Sequence, residues 1–182
     1  MSGTLTLRNR HRTRRVNLRL LRQIAQALLR NTQPNGSFDL GVCLVAAPEM
    51  AHLNETFLRH QGSTDVITFD YADKVGQASR LSSSRTTAGL AKDRRDACPT
   101  LLHGEIFICL DDAVAQARRF HTTWQSELVR YVVHGVLHLL GHDDLESRAR
   151  RKMKAAEDSL VRQLARQFDF RALGALGARS RS

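Results

Sequence analysis

The feature that most constrains this chain is the run from His134 to Asp144, which reads HGVLHLLGHDD. Two histidines stand four residues apart in an apolar stretch, and residues at this spacing lie one above the other on a helix face. His134 and His138 can therefore bind one metal ion from the same side of a helix. Gly141 offers an end to that helix, because glycine readily adopts the left-handed conformation that follows a last helical turn. The run predicts a metal-binding helix that ends in a sharp turn.

The turn after this helix contains three candidates for a third ligand. We favour Asp144, with His142 and Asp143 as alternatives. Two imidazoles and one carboxylate leave the fourth position of a zinc ion to water, which is the arrangement of a catalytic zinc site. The spacing is similar to the H-E-x-x-H-x-x-G-x-x-H pattern of zinc proteases, in which the glutamate is the general base. Gly135 replaces that glutamate here, so the run predicts one Zn²⁺ ion and argues against a peptidase.

Length, apolar content and cysteine use limit the class of protein. A chain of 182 residues, 42% of them hydrophobic, is long enough for one domain with a sizeable core. No apolar run is long enough to cross a membrane, and the N-terminus lacks the apolar stretch of a signal peptide. The three cysteines form no C-x-x-C pair. We therefore expect a cytoplasmic protein with no membrane association.

The net charge of +10 is unevenly distributed along the chain. Residues 1–38 contain eight arginines and no acidic residue, and residues 145–182 have a net charge of +6. The segment between them, residues 39–144, has a net charge of −4. Basic ends on either side of a metal-bearing centre favour a polyanionic substrate.

Hydrophobic periodicity predicts a small α+β domain over residues 4–170, with a mixed sheet of about four strands and a zincin-like metal-site helix. The predicted strands are 4–8, 38–46, 65–71 and 101–109. The predicted helices are 16–29, 48–59, 111–119, the metal-site helix after Thr122, and 145–168. The strand, helix and strand between 38 and 71 predict a right-handed βαβ unit. Residues 72–99 are expected to form an exposed loop or insertion, and 171–182 a flexible tail.

Two helix starts have capping signals in the sequence. Asp111 is predicted to cap the helix that follows it. Thr122 and Gln125, three residues apart, form a capping-box pattern in front of the metal-site helix. Both signals are local, so each predicts only where a helix begins.

Three separated motifs together resemble the YbeY family, the bacterial endoribonucleases of rRNA maturation. HGVLHLLGHDD resembles the family's H-G-x-L-H-L-x-G-x-D-H, and Leu53-Asn54 followed by TDVITF at 64–69 resembles its L-N and T-D-V-L-S-F segments. The third is Gly104-Glu105-Ile106, which resembles a G-[DE]-I strand. Their order and separations agree with the family, so the resemblance spans residues 4–165.

The resemblance implies a single-strand-specific, metal-dependent endoribonuclease that acts on the 3′ end of small-subunit rRNA and in ribosome quality control. It also implies rRNA and the small ribosomal subunit as partners. Two other functions are alternatives to it. One is a zinc peptidase, and the other is a non-catalytic ribosome-assembly protein that binds RNA and holds a structural metal.

Two departures from the family pattern concern site residues. The family's third histidine falls on Asp144, whose carboxylate can bind zinc but lowers the charge of the metal centre. The family's arginine, four residues after the asparagine of the L-N motif, falls on Leu58. Arg59 is our candidate to replace it, although on a helix it would point about 100° away. With His134 and His138, it completes our set of candidate catalytic residues.

A few further residues receive predicted roles. Arg130 is a second candidate to neutralise charge in the transition state, and Glu127 is expected to form a structural salt bridge. Thr64 and Asp65 either lie near the site or simply begin a strand. Four further histidines are expected to be ordinary surface or partly buried residues; these are His52, His60, His103 and His121. Of these, His103 is kept as an alternative site residue, because it lies in a strand that can face the cleft.

Overall fold

A four-stranded mixed sheet lies at the centre of the computed structural model, which describes residues 2–72 and 101–174. The strands are β1 (Ser2–Asn9), β2 (Ser37–Val45), β3 (Val66–Asp70) and β4 (Leu101–Cys109). The helices are α1 (Leu18–Thr32), α2 (Ala47–Leu53), α3 (Leu110–Arg119), α4 (Trp124–Leu139) and α5 (Ser147–Gln167). A π-helical turn (Asn54–Leu58) follows α2, and a 3-10 turn (Phe170–Leu173) follows α5. The predicted α+β class with four strands is confirmed.

Alternating side chains on the two central strands separate the sheet into two faces. One face packs in the main core against α1, α3, α4 and α5, and its apolar side chains are fully or almost fully buried. These side chains are Phe38, Leu40, Val42 and Leu44 in β2 and Leu102, Ile106 and Ile108 in β4. On the other face, α2 covers one end with a smaller cluster around Met50 and Ile67. The main core therefore supports α4, the predicted metal-site helix.

The close approach of α4 to the sheet depends on Gly135. A Cβ atom added to this residue would lie 2.7 Å from Cγ2 of Ile106 in β4, well inside van der Waals contact. Any larger side chain would have to push the helix away from the strand. Gly135 thus occupies a buried packing position, and the glutamate of a zinc protease could not replace it without a shift of α4.

The prediction of a βαβ unit between residues 38 and 71 is wrong. The strand order is β1-β2-β4-β3, and β3 runs antiparallel to β4. Val45 pairs with Cys109 and Val66 with Ile108, so β2 ends and β3 begins at the same end of the sheet. Both edges of β2 are occupied by parallel neighbours, by β1, which is joined to β2 through α1, and by β4, so β3 instead pairs with the far edge of β4.

Both capping predictions are corrected by the structure. Asp111 does not cap α3, because its Oδ2 accepts a hydrogen bond from the backbone N–H of Ala47 at 2.8 Å and so caps α2. The cap of α4 is Thr123 rather than Thr122, and its Oγ1 accepts from the N–H of Ser126 at 3.2 Å. The prediction for Asp111 was wrong because its carboxylate bonds to a helix that begins 64 residues earlier, and a local capping pattern gives no information on such a contact.

The predicted tail begins too early at residue 171. Phe170 and Leu173 lie in the 3-10 turn and are buried in the main core, because their apolar side chains pack against the helical layer. Residues 175–182 and, apart from Ala72, the predicted insertion at 72–99 lie outside the described residues. Within the described residues, no helix is long and apolar enough to cross a bilayer.

Candidate metal centre

The last turn of α4 places both histidines side by side and then ends at Gly141. The imidazole ring centroids of His134 and His138 are 4.6 Å apart, and their Nε2 atoms are 3.0 Å apart. Gly141 has a φ of 83°, and its N–H donates to the carbonyl of His138, while the N–H of His142 donates to the carbonyl of Leu137. These two bonds form a Schellman turn. The predicted exit from the helix at Gly141 is confirmed.

The turn brings Asp144 to the two imidazoles. Its Oδ2 lies 4.0 Å from Nε2 of His134 and 3.9 Å from Nε2 of His138. With the 3.0 Å between the two Nε2 atoms, no separation among the three ligand atoms exceeds 4.0 Å. Such separations suit donors that share one ion with bonds of about 2.0–2.2 Å. All three residues are partly exposed, so the site is open to solvent and to a substrate.

The hydrogen bonds behind the rings indicate what lies between them. Nδ1 of His134 is 3.0 Å from a carboxylate oxygen of Glu157, and Nδ1 of His138 is 3.1 Å from the carbonyl of His142. Both partners are acceptors, so both Nδ1 atoms must carry the proton. In neutral rings the two Nε2 lone pairs then face each other beside the carboxylate of Asp144. A cation between them, either a proton or a metal ion, relieves the repulsion between these lone pairs and the carboxylate. The donor set therefore fits a metal ion.

The two alternatives to Asp144 do not join this cluster. The Oδ1 of Asp143 accepts from the N–H of Leu145 at 2.9 Å, which holds its carboxylate in the turn. His142 is exposed and contributes its backbone carbonyl to His138. The geometry therefore favours Asp144 as the third ligand.

Sequence reasoning missed Glu157, the acid behind His134. This residue of α5 is 6% exposed, and its other carboxylate oxygen accepts from Nη1 of Arg130. Burial opposes its ionisation, but the hydrogen bonds from His134 and Arg130 hold the pKa of Glu157 below its ordinary value. The hydrogen bond to Glu157 in turn raises the pKa of His134, against the effect of burial. The signal in the sequence was an acid on the buried stripe of a basic helix, between Met153 and Leu164.

The chain matches the family model described as Endoribonuclease YbeY over residues 6–165. It belongs to the YbeY family. Two relatives named Endoribonuclease YbeY come from Salinibacter ruber (27% identical over 86% of this chain and 89% of that protein) and Acidothermus cellulolyticus (33% over 79% and 80%). A third, from Myxococcus xanthus, is 32% identical over 90% of this chain but only 49% of its own length. A Thermotoga maritima protein solved in solution shares the fold, with a TM-score of 0.56, 20% identity and coverage of 98% and 100%.

The YbeY-family arginine position is occupied by an exposed apolar side chain. Leu58 is 47% exposed at the end of the π-helical turn. Arg59 is exposed and adopts a left-handed conformation with a φ of 57°. The expected helical offset of about 100° between the two side chains is wrong, because the chain leaves the helix at Arg59. No contact among the described residues links Arg59 to the metal-ligand candidates, and its catalytic role stays a prediction.

Arg130 does not have the free guanidinium that its predicted role requires. It contacts Glu157 and, at 2.6 Å, Oδ1 of Asp158, because it lies one turn before His134 and faces α5. Burial lowers its pKa, but the hydrogen bonds to these two acids raise the pKa of Arg130 above its ordinary value. The salt bridge predicted for Glu127 is present, with its Oε2 3.9 Å from Nε of Arg130. Arg130 is thus a structural residue of the α4–α5 contact.

Thr64 and Asp65 form the start of a strand, which is one of the two roles predicted for them. Oδ1 of Asp65 accepts from the hydroxyl of Thr64 and the N–H of Val66, which is the turn that begins β3. After the contributions of Glu157, the charge of Asp65 also helps to raise the pKa of His134.

None of the four histidines expected to be ordinary belongs to the group of potential metal ligands found among the described residues. His103 is on the opposite face of the sheet, where its Nε2 is 3.6 Å from Oδ2 of Asp39. The other three, His52, His60 and His121, are exposed.

Proposed function

We propose that this member of the YbeY family is a single-strand-specific, metal-dependent endoribonuclease that matures the 3′ end of small-subunit rRNA. In this proposal it works in the cytoplasm on the small ribosomal subunit and takes part in ribosome quality control. The observation that carries the proposal is the convergence of two imidazole lone pairs and one carboxylate at a partly exposed site.

The metal centre would hold one Zn²⁺ ion through His134, His138 and Asp144. An ion held there supplies Lewis-acid chemistry, polarising a phosphoryl oxygen or a water molecule. The chain supplies the orientation, because each histidine is fixed from behind by a hydrogen bond at Nδ1. Arg59 remains our candidate to neutralise charge on the scissile phosphate.

The basic start of α5 supports RNA as the substrate. This helix begins three residues after Asp144, so its first two turns lie next to the metal centre. The exposed cations of these turns are Arg148, Arg150, Arg151, Lys152 and Lys154. Side chains of this kind bind phosphates and position a strand without reading its sequence. The exposed arginines of α1, which are Arg19, Arg22 and Arg30, offer a second basic surface.

The two rival functions have less support. A zinc peptidase needs a general base after the first histidine, and the space next to Gly135 is filled by Ile106. A structural zinc site is closed by four protein ligands, whereas the three candidate ligands here have side chains that are 26%, 27% and 39% exposed. An open site of three ligands favours catalysis over a structural role.

The test is metal analysis of the purified protein, followed by chelation and add-back of Zn²⁺. The assay compares single-stranded RNA with a duplex of the same sequence, and casein serves as the peptidase substrate. We expect cleavage of the single strand alone, loss of cleavage on chelation and recovery with Zn²⁺, with an unchanged circular dichroism spectrum. Cleavage that persists in the chelator would refute the metal mechanism. Unfolding on chelation would support a structural metal instead.

A further inference from the structure

We propose that Glu157 is a positioning residue that fixes the ring of His134 so that its Nε2 faces Asp144 and His138. This inference rests on the proposed function, because it concerns the same metal centre. It adds a residue that contacts neither the metal ion nor the RNA in that proposal.

The contact itself sets the orientation of the ring. Oε2 of Glu157 lies 3.0 Å from Nδ1 of His134. Since a carboxylate only accepts hydrogen bonds, Nδ1 must donate, and the lone pair is left on Nε2. A carboxylate behind a metal-binding histidine fixes the tautomer and raises the basicity of the ligand nitrogen.

The carboxylate can act in this way because it is itself immobilised. Glu157 is 6% exposed and lies on α5, while its partner His134 lies on α4. Its second oxygen accepts from Arg130, which also holds Asp158 at 2.6 Å. A buried, charge-assisted hydrogen bond of this type is strong and poorly screened. The two helices are therefore joined at the residue that sets the direction of His134.

A second consequence concerns the charge at the metal centre. Asp144 stands where the family has a third histidine, so the direct ligands carry one negative charge. Glu157 adds another behind His134, and Arg130 offsets it in part. Loss of the Glu157 charge should thus weaken binding of a divalent cation as well as release the ring.

The experiment compares Glu157→Gln with the matched control Asp158→Asn. Both changes remove one charge from an acid that accepts from Arg130, but only Glu157 contacts His134. Zinc affinity is measured by competition with a chromophoric chelator, and the melting temperature of each metal-free protein is measured by circular dichroism. We expect Glu157→Gln to lower zinc affinity by about 10- to 100-fold, with Asp158→Asn close to the parent protein.

A spectroscopic readout separates positioning from packing. In the metal-free parent protein at alkaline pH, imidazole ¹⁵N shifts should show His134 protonated at Nδ1. Glu157→Asp keeps the charge but withdraws it from the ring, so it should give a mixed tautomer and an intermediate zinc affinity. This variant also serves if Glu157→Gln does not fold.

Two results overturn the inference: zinc affinity unchanged in the folded Glu157 variants, or an equal loss in Asp158→Asn. Either result can occur while the parent protein still cleaves RNA, and then only the positioning role fails. Conversely, the expected pattern of zinc affinities in a protein that cleaves no RNA would refute the proposed nuclease and leave the role of Glu157 standing.

Discussion

The two histidines of the metal centre are equally exposed but are held in different ways. Their side chains are 26% and 27% exposed on the same face of α4. His134 donates to the carboxylate of Glu157, 23 residues away on another helix. His138 donates to the carbonyl of His142, four residues away in the turn that ends its own helix. One half of the site therefore depends on helix packing and the other on a local turn.

Asp144 belongs to the turn-held half, which we define as His138 and residues 141–145. Its backbone carbonyl accepts from Nε of Arg150 at 2.9 Å, and Gly141 sets the direction of the chain. The helix-held half comprises His134 and Glu157. The comparison shows that an ion bound here would join a half held by helix packing to a half held by a local turn. A substitution that disturbs either half should therefore be detected first as a loss of metal affinity.

The largest expected effect is that of His134→Ala or His138→Ala. Each change removes one of three ligands, so zinc binding and cleavage of single-stranded RNA should fall below detection. Both side chains are partly exposed, and the circular dichroism spectrum should be retained. Metal analysis and the RNA assay check this. Parent-like cleavage by both variants would show that neither half of the site acts in catalysis.

Asp144→Asn should have the next largest effect. The amide keeps an oxygen donor but loses the charge, so zinc affinity should fall by at least about tenfold, which equals ~1.4 kcal/mol. The control is Asp143→Asn, because that carboxylate is held in the turn by the N–H of Leu145. Competition with a chelator measures both. If affinity changes for Asp143→Asn and not for Asp144→Asn, the turn-held half presents a different ligand.

Gly141→Ala tests whether the turn itself supports the site. With a φ of 83° and no atom within 4 Å of the new Cβ, the substitution introduces backbone strain and no clash. Strain of this type should lower the free energy of unfolding by about 1 kcal/mol, which urea unfolding measures. Zinc affinity should also fall. Gly62→Ala is the matched control, since its φ is 88° and its surroundings are equally open. It should lose similar stability and keep its zinc affinity.

The smallest expected effect is that of Arg150→Ala. This exposed side chain donates to the carbonyls of Asp144 and Leu145, at 2.9 and 3.4 Å. Loss of these bonds should loosen the turn by about 0.5–1 kcal/mol and lower zinc affinity slightly. Zinc affinity is the proper readout, because the arginine is also a candidate phosphate contact. The control is Arg151→Ala, which removes the same charge from an exposed neighbour and by charge alone should not lower zinc affinity. An equal loss of affinity in Arg151→Ala would show that the bonds from Arg150 to the turn do not support the site.

Much of the site was predictable because its signals are local. The spacing of His134 and His138 encodes a shared helix face, and Gly141 encodes the left-handed exit that brings Asp144 back. The strand at 101–109 was predicted with its observed bounds, since the strand character of the run LLHGEIFIC is a local property of the sequence. Leu58 and Arg59 show the limit, because a π-helical turn and a left-handed residue replaced the regular helix on which the prediction relied.

The sequence by itself determined the α+β class, the helix of the two histidines and the turn after it. All three follow from the periodicity of apolar residues and from helix-ending residues, which are patterns within a few positions of the chain. Only the tertiary structure decided the antiparallel direction of β3, the binding of Arg130 to the acids of α5 and the contact of Glu157 with His134. These depend on contacts between residues 23 or more positions apart. Such contacts arise when helices and strands pack to bury a common core, and no local pattern specifies which polar groups then meet.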